Sequence, residues 1–210
     1  MVYPSAKLTI IPVVKLWAKE VNGLENLPKQ EPFIAAANHA SYMDHLIIAS
    51  YIVSHLDRKV HFLAKKEHFD NIFKKTWHNY AGAIPLDREK GGKGALKWAI
   101  KALKKGKIIA IHPEGTRSLT GKMQKGKTGV ARLALLSKAP VVPIGLIGTF
   151  DILPKGKYIP RLKKAVMNIG KPMYFQEHYN KKINKRILKE VTTKIMIEIA
   201  KLSKQKYNYK

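Results

Sequence analysis

The sequence predicts a single α/β domain: a largely parallel or mixed sheet covered by helices on both faces, with a short N-terminal amphipathic arm and a long C-terminal helix. Three observations predict it. Apolar runs of strand length alternate with longer segments of helical period along the 210 residues. The run Ile108-Ile109-Ala110-Ile111 is apolar without a break, as in a strand covered on both faces. Ile183, Ile187, Val191, Ile195, Ile199 and Leu202 recur at spacings of three and four, forming one apolar stripe on a long helix.

Residues 1–19 read as the arm. Its apolar stretch, Leu8 to Trp17, is interrupted by Pro12 and Lys15 and reaches about half of the roughly 20 residues a membrane span needs. No basic segment precedes it and no small-residue cleavage site follows, so it does not read as a signal peptide. Two readings stay open. It is an interfacial anchor, with Trp17 at headgroup depth and Lys7, Lys15 and Lys19 toward phosphates, or it packs on the domain's own core.

Residues 20–210 read as the domain, without internal repeat or low-complexity linker. Strands are expected at 32–37, 60–64, 108–111, 141–147 and 165–169, and helices at 45–56, 67–79, 94–105 and 128–137. Gly106 stops the third of these helices. Residues 82–86 are extended, and Pro85 argues for a sheet edge or a strand end. Functional loops in such sheets gather at the carboxyl ends of the strands.

Composition narrows the function. An apolar content of 45% fits a globular protein. The absence of cysteine removes disulfides, thiolate nucleophiles and cysteine metal sites. Forty Lys and Arg against 14 Asp and Glu give +26, a balance that attracts polyanions: nucleic acid, anionic membrane or phosphorylated substrates.

Four short segments carry chemistry. In Asn38-His39-Ala40-Ser41-Tyr42-Met43-Asp44, an imidazole stands five residues before a carboxylate on a strand-to-helix turn, as a base and its orienter would. Ser41-x-x-Asp44 ahead of an apolar run also fits a helix capping box, with Asp in place of Glu. Arg88 follows the extended segment at 82–86 and can present a planar fork to a phosphate. In His112-Pro113-Glu114-Gly115-Thr116-Arg117-Ser118, a turn after the buried strand sets Glu114 and Arg117 at a strand end, where an ordinary ion pair is the plain reading. The basic loop 122–127 lacks P-loop spacing. Val142-Pro143-Ile144 alone is only strand with a proline.

Taken in order, these segments resemble the four motif blocks of the glycerolipid acyltransferases, the family of 1-acylglycerol-3-phosphate acyltransferases. Asn38, His39 and Asp44 match N-H-x-x-x-x-D, Arg88 matches the arginine ending the second block, residues 113–118 match P-E-G-T-R-S, and Val142 to Ile144 match the V-P-I strand. The run from Gly23 to Pro28 resembles the family's lead-in, and Phe62 to Glu67 its F-x-x-K-x-E segment, which places Lys65. The likeness spans roughly residues 20–175. Members often carry longer membrane-embedding N-terminal regions than the arm read here.

The resemblance implies acyl transfer from a thioester to a glycerolipid hydroxyl, with phosphatidic acid as product. His39 would be the base, and Asp44 would hold its tautomer and stabilise the imidazolium. Arg88 and Arg117, with Lys65 behind them, would bind the acceptor's phosphate. Glu114 would position Arg117 or an acceptor hydroxyl, Thr116 would line the substrate site with them, and amides around Gly115 and the Lys65 ammonium are candidates for the oxyanion. No bound cofactor or metal is expected; acyl-CoA or acyl-carrier protein would be co-substrate. His45, His61 and His112 read as structural or exposed. The excess lysine then serves an anionic membrane, giving a peripheral or monotopic enzyme on the cytoplasmic face of the cell membrane, with no nucleic-acid partner. Two other readings stay open: another acceptor, such as glycerol phosphate or a lysophospholipid, or a non-enzymatic basic protein that binds membrane or nucleic acid.

Overall fold

The structure is a computed structural model that describes residues 2–87 and 92–209. Strands β1 (Ala18–Asn22), β2 (Ile34–Ala37), β3 (Val60–Lys65), β4 (Ile84–Leu86), β5 (Ile108–Ile111), β6 (Val141–Ile147) and β7 (Ala165–Ile169) form one sheet. Their order is β1-β7-β6-β2-β5-β3-β4, and every neighbouring pair is parallel except β6 and β7. The sheet is thus mixed, and Pro85 lies on the edge strand β4, where its missing donor costs no ladder bond.

Helices cover both faces: α1 (Pro4–Leu8), α2 (Ile10–Lys15), α3 (Met43–Leu56), α4 (Ile72–Tyr80), α5 (Lys93–Lys104), α6 (Gly129–Ser137), α7 (Thr149–Ile152) and α8 (Lys185–Leu202). The central strand β2 shows why its run has no polar residue. Ile34 and Ala36 face a core shared with α5, α6 and α8, while Ala35 and Ala37 face a second core built with α2, α3 and α7. All four are buried, since neither face meets water.

The stripe of α8 packs as its spacing predicts: Val191, Ile195 and Ile199 are fully buried. The Asn184 side chain caps the helix by accepting from the Ile187 amide at 2.9 Å. At its other end α8 lies against β6 so closely that a Cβ on Gly145 would fall 2.2 Å from the Leu202 carbonyl carbon. Only glycine fits there.

Three elements differ from expectation. β1 is a strand that the sequence hides, because it is a charged edge strand with no apolar run. It takes Ala18 and Lys19 from the arm read at 1–19 into the sheet. The helix expected at 67–79 breaks into a 3-10 turn (Lys66–Phe69) and α4. Asn71 Oδ1 accepts from the Phe73 amide at 2.9 Å, a local bond that starts a new helix instead of continuing the old one. The arm itself divides by face. Ile11 and Val14 of α2 are buried in the domain core, whereas Leu8, Val13 and Leu16 are exposed.

Candidate active site

The site stands where the central strands β2 and β5 end. Asn38, the first residue beyond β2, is buried and bonds β6 twice: its Nδ2 donates to Leu146 O at 2.9 Å and its Oδ1 accepts from the Leu146 amide at 2.8 Å. The side-chain amide thereby continues the ladder and fixes the direction in which the chain leaves the sheet.

His39 follows. Its Nδ1 lies 2.8 Å from Asp44 Oδ2, and the same oxygen accepts from the amides of Ala40 and Ser41, each at 2.8 Å. One half of the expected capping box forms: the Ser41 amide reaches Asp44, while Ser41 Oγ accepts from the Met43 amide at 3.1 Å. Asp44 reaches back to the turn amides as a helix cap does, and it orients the imidazole with the same atom. Its side chain is wholly buried, while that of His39 is 17% exposed, so the ring is the member of the pair that a substrate can reach. Burial pushes the Asp44 carboxyl upward; the Thr149 hydroxyl and the Ser41 and Ala40 amides oppose that. Three donors on one oxygen suit the ionised form. A carboxylate there accepts the hydrogen bond from Nδ1–H and leaves Nε2 as the basic nitrogen.

The loop after β5 supports His39 from the other side. His112 stacks on His39 with ring centroids 3.9 Å apart and planes 7° from parallel. Its Nδ1 lies 3.1 Å from Ala37 O and 3.0 Å from Asn38 O, so Nδ1 carries the proton and donates to the end of β2. Burial pulls the His112 pKa down to about 3, and the neutral ring is the stable one. Sequence reading set His112 aside as structural or exposed; the structure places it against His39. The register explains this: Ala36 pairs with Ile111, which sets His112 level with Ala37. No spacing in the chain reveals that until the strand order is known.

Glu114 takes partners other than Arg117. Among the described residues no ion pair joins it to Arg117. Its Oε1 accepts from the His39 amide at 2.8 Å, and its Oε2 accepts from the Gln124 amide at 2.8 Å and from Gln124 Nε2 at 3.3 Å. The carboxyl thus clamps the backbone of the base to the loop at 113–124, with burial raising its pKa to about 7. Thr116 contributes its carbonyl to the same clamp, accepting from Gln124 Nε2 at 3.0 Å. Gly115 turns the chain at φ 74°, and its amide donates to His112 O at 2.9 Å. The Ser118 amide closes the circle by donating to His39 O at 2.8 Å.

Arg117 lies over the face of Tyr42, its guanidinium carbon 3.4 Å from the ring centroid. Its Nη1 is buried and finds no hydrogen-bond partner among the described residues. A donor held this way on the turn that carries Tyr42 suits an anionic group on a ligand. Lys65 ends β3 opposite Leu86 of β4. Its side chain and the whole of Arg88 lie outside the described residues. Among the described residues no three His, Asp or Glu side chains converge as metal ligands.

A family model described as Acyltransferase matches residues 19–147. The 1-acyl-sn-glycerol-3-phosphate acyltransferase of Bacillus subtilis is 34% identical over 155 residues, covering 74% of this chain and 73% of that protein. The enzyme of that name from Streptococcus pneumoniae is 28% identical over 199 residues, covering 92% and 70%. A chloroplastic one from Brassica napus is 32% identical over 181 residues, and the chain spans 49% of its length. The fold is shared with the crystal structure of the 1-acyl-sn-glycerophosphate acyltransferase PlsC of Thermotoga maritima, with a TM-score of 0.69 and 24% identity over 98% of this chain and 84% of that one. The family model runs from Lys19 in β1 to the end of β6 and takes in every described residue of the His39 turn and the Glu114 loop, and the chain belongs to the acyltransferase family.

Proposed function

We propose that the chain transfers an acyl group from a thioester to the free hydroxyl of a 1-acylglycerol 3-phosphate, making phosphatidic acid for phospholipid synthesis. The observation that carries this reading is the His39–Asp44 pair, with one reachable imidazole edge and a buried carboxylate behind it. The names of the relatives from Bacillus subtilis and Streptococcus pneumoniae support the acceptor.

The chemistry balances without a protein nucleophile. His39 Nε2 takes the hydroxyl proton as that oxygen attacks the thioester carbonyl. The tetrahedral intermediate collapses with loss of the carbon–sulfur bond. A thiol has a reference pKa of about 8.5, so its thiolate leaves with little acid help, and the imidazolium can then return the proton to it. Asp44 stabilises that imidazolium across the 2.8 Å bond. His112 holds the plane of the ring from its opposite face, and Glu114 holds its backbone. Arg117 meets the acceptor's phosphate, with Arg88 and Lys65 as further cations. The donor is acyl-CoA or acyl-carrier protein.

The chain works at the cytoplasmic face of the cell membrane as a peripheral protein. Among the described residues no helix is long and apolar enough to cross a membrane. The exposed Leu8, Val13 and Leu16 of the arm suit shallow insertion, and each basic side chain near an anionic leaflet adds about 1 kcal/mol. The test is product analysis with palmitoyl-CoA and, in turn, 1-acylglycerol 3-phosphate, glycerol 3-phosphate and a lysophospholipid. Phosphatidic acid formed fastest from the first is expected. Faster acylation of either other acceptor would replace the acceptor, and no acylation with CoA or carrier-protein donors would refute the reading.

A further inference from the structure

The loop between α7 and β7 is unusual for a folded surface. Tyr158, Ile159 and Leu162 are 87%, 83% and 94% exposed, three large apolar side chains within five residues. Single exposed apolar residues are ordinary, but a group of them marks a contact surface. The same loop carries Lys155, Lys157, Arg161, Lys163 and Lys164, all exposed, and no acidic residue occurs between Asp151 and Glu177.

The loop is held in place. The Arg161 amide donates to Ile152 O at 2.9 Å, which closes it at the base, and the Lys157 amide donates to Pro154 O at 3.1 Å. One end is tied to the catalytic turn: Pro154 bridges Ser41, the Tyr42 amide donates to Leu153 O at 3.1 Å, and Ser41 Oγ donates to the same oxygen at 2.8 Å. The other end is tied to the arm. Trp17 Nε1 donates to Arg161 O at 2.9 Å, Lys164 Nζ donates to Leu16 O, and the Ala165 amide donates to Trp17 O at 2.7 Å. The exposed side chains of the loop therefore stand between Ser41–Tyr42 and the exposed Leu16.

We propose that residues 154–164 are a lipid-contacting element, in which Tyr158, Ile159 and Leu162 enter an anionic bilayer while Lys155, Lys157 and Lys163 meet headgroup phosphates, seating the His39 turn on the membrane surface. This deepens the proposed function and rests on it for the acceptor being a lipid. Charge complementarity favours this occupant. A second copy of the chain would bring five more cations against these five. Single-stranded nucleic acid gains from aromatic stacking platforms, whereas Ile159 and Leu162 are aliphatic. Alternating cations and apolar side chains suit the boundary between headgroups and acyl chains.

The test is co-sedimentation of the full chain with vesicles of phosphatidylglycerol and phosphatidylcholine in equal parts. A Tyr158→Ser, Ile159→Ser, Leu162→Ser triple variant is expected to bind at least about tenfold more weakly, with unchanged thermal unfolding. It should also turn over a short-chain acceptor dissolved as monomers at the unaltered rate. In a second measurement, the fluorescence that Tyr158→Trp adds should be quenched by brominated lipid. Vesicle binding by the triple variant equal to that of the unaltered chain, or an unquenched tryptophan, would overturn the proposal. So would binding to a short RNA with no binding to vesicles. If vesicle binding falls as expected but no acceptor is acylated, the loop assignment stands and the proposed reaction fails.

Discussion

Replacing His112 by phenylalanine tests the stacked histidine pair through stability. The pKa of His112 falls from 6.5 to about 3 because the ring is buried, so below pH 6.5 the unfolded chain binds a proton that the folded chain refuses. The stability contributed by this neutral ring is fully present above pH 6.5 and is lost as pH falls toward 3. At about 1.4 kcal/mol per pH unit, the two units from 6.5 to 4.5 remove about 3 kcal/mol. The phenyl ring of His112→Phe has nothing to protonate and escapes that loss. It also gives up the Nδ1 bonds to Ala37 O and Asn38 O, which costs about 1–2 kcal/mol at any pH. The variant should therefore be less stable than the unaltered chain at pH 7.5 by about 1–2 kcal/mol, and more stable by a similar amount at pH 4.5. His45, whose pKa is lowered to about 4 by burial and then by the charge of His112, adds an acid loss of its own that is smaller in the variant, which works in the same direction. His39 lowers the His112 pKa and Asp44 raises it, so both neighbours act within the His112 shift and their effect on that ring disappears with it. Urea unfolding at pH 7.5, 6.0 and 4.5 reads the crossover. A difference between the two proteins that stays constant across this range would refute a buried neutral His112.

Other expectations concern the site and its supports. Asp44→Asn should lower kcat about 10²–10⁴-fold with little change in KM, because the base loses the partner that sets its tautomer; steady-state kinetics at saturating donor checks it. Asn38→Ala leaves the Leu146 amide and carbonyl buried without their partner, and should cost about 2–4 kcal/mol in urea unfolding. Arg117→Lys keeps the charge but loses the planar fork and the contact over Tyr42, so KM for the phosphorylated acceptor should rise about tenfold or more while kcat changes less. A KM ratio near one would remove Arg117 from the phosphate site.

The core of the fold was legible because its signals are local. β5 begins and ends where its apolar run does, β6 and β7 keep the bounds their sequence suggests, and the stripe of α8 reports its own buried face. β1 was hidden because an edge strand can be polar, and the break before α4 because it rests on one Asn71 side-chain bond. In the site, His39 and Asp44 are five residues apart on one turn, so the chain shows them together. The partners of Glu114 are different in kind. The His39 amide lies 75 residues away, and the bond forms only because β2 and β5 are neighbours in the sheet. The Glu–Arg pairing suggested by proximity in sequence gave way to two backbone donors that are nearer in space. The place of His112 against His39 is out of reach of the sequence for the same reason, since its partner is reached across the sheet.

The most direct test of the account is acceptor-dependent thiol release from palmitoyl-CoA, and then from palmitoyl-carrier protein, by the unaltered chain and by His39→Ala. The account predicts release that requires 1-acylglycerol 3-phosphate and falls to background in the variant while its unfolding midpoint stays close to that of the unaltered chain. Release retained by a folded His39→Ala protein would contradict the assignment of His39 as the base. No release by the unaltered chain with either donor would contradict the proposed transfer to this acceptor.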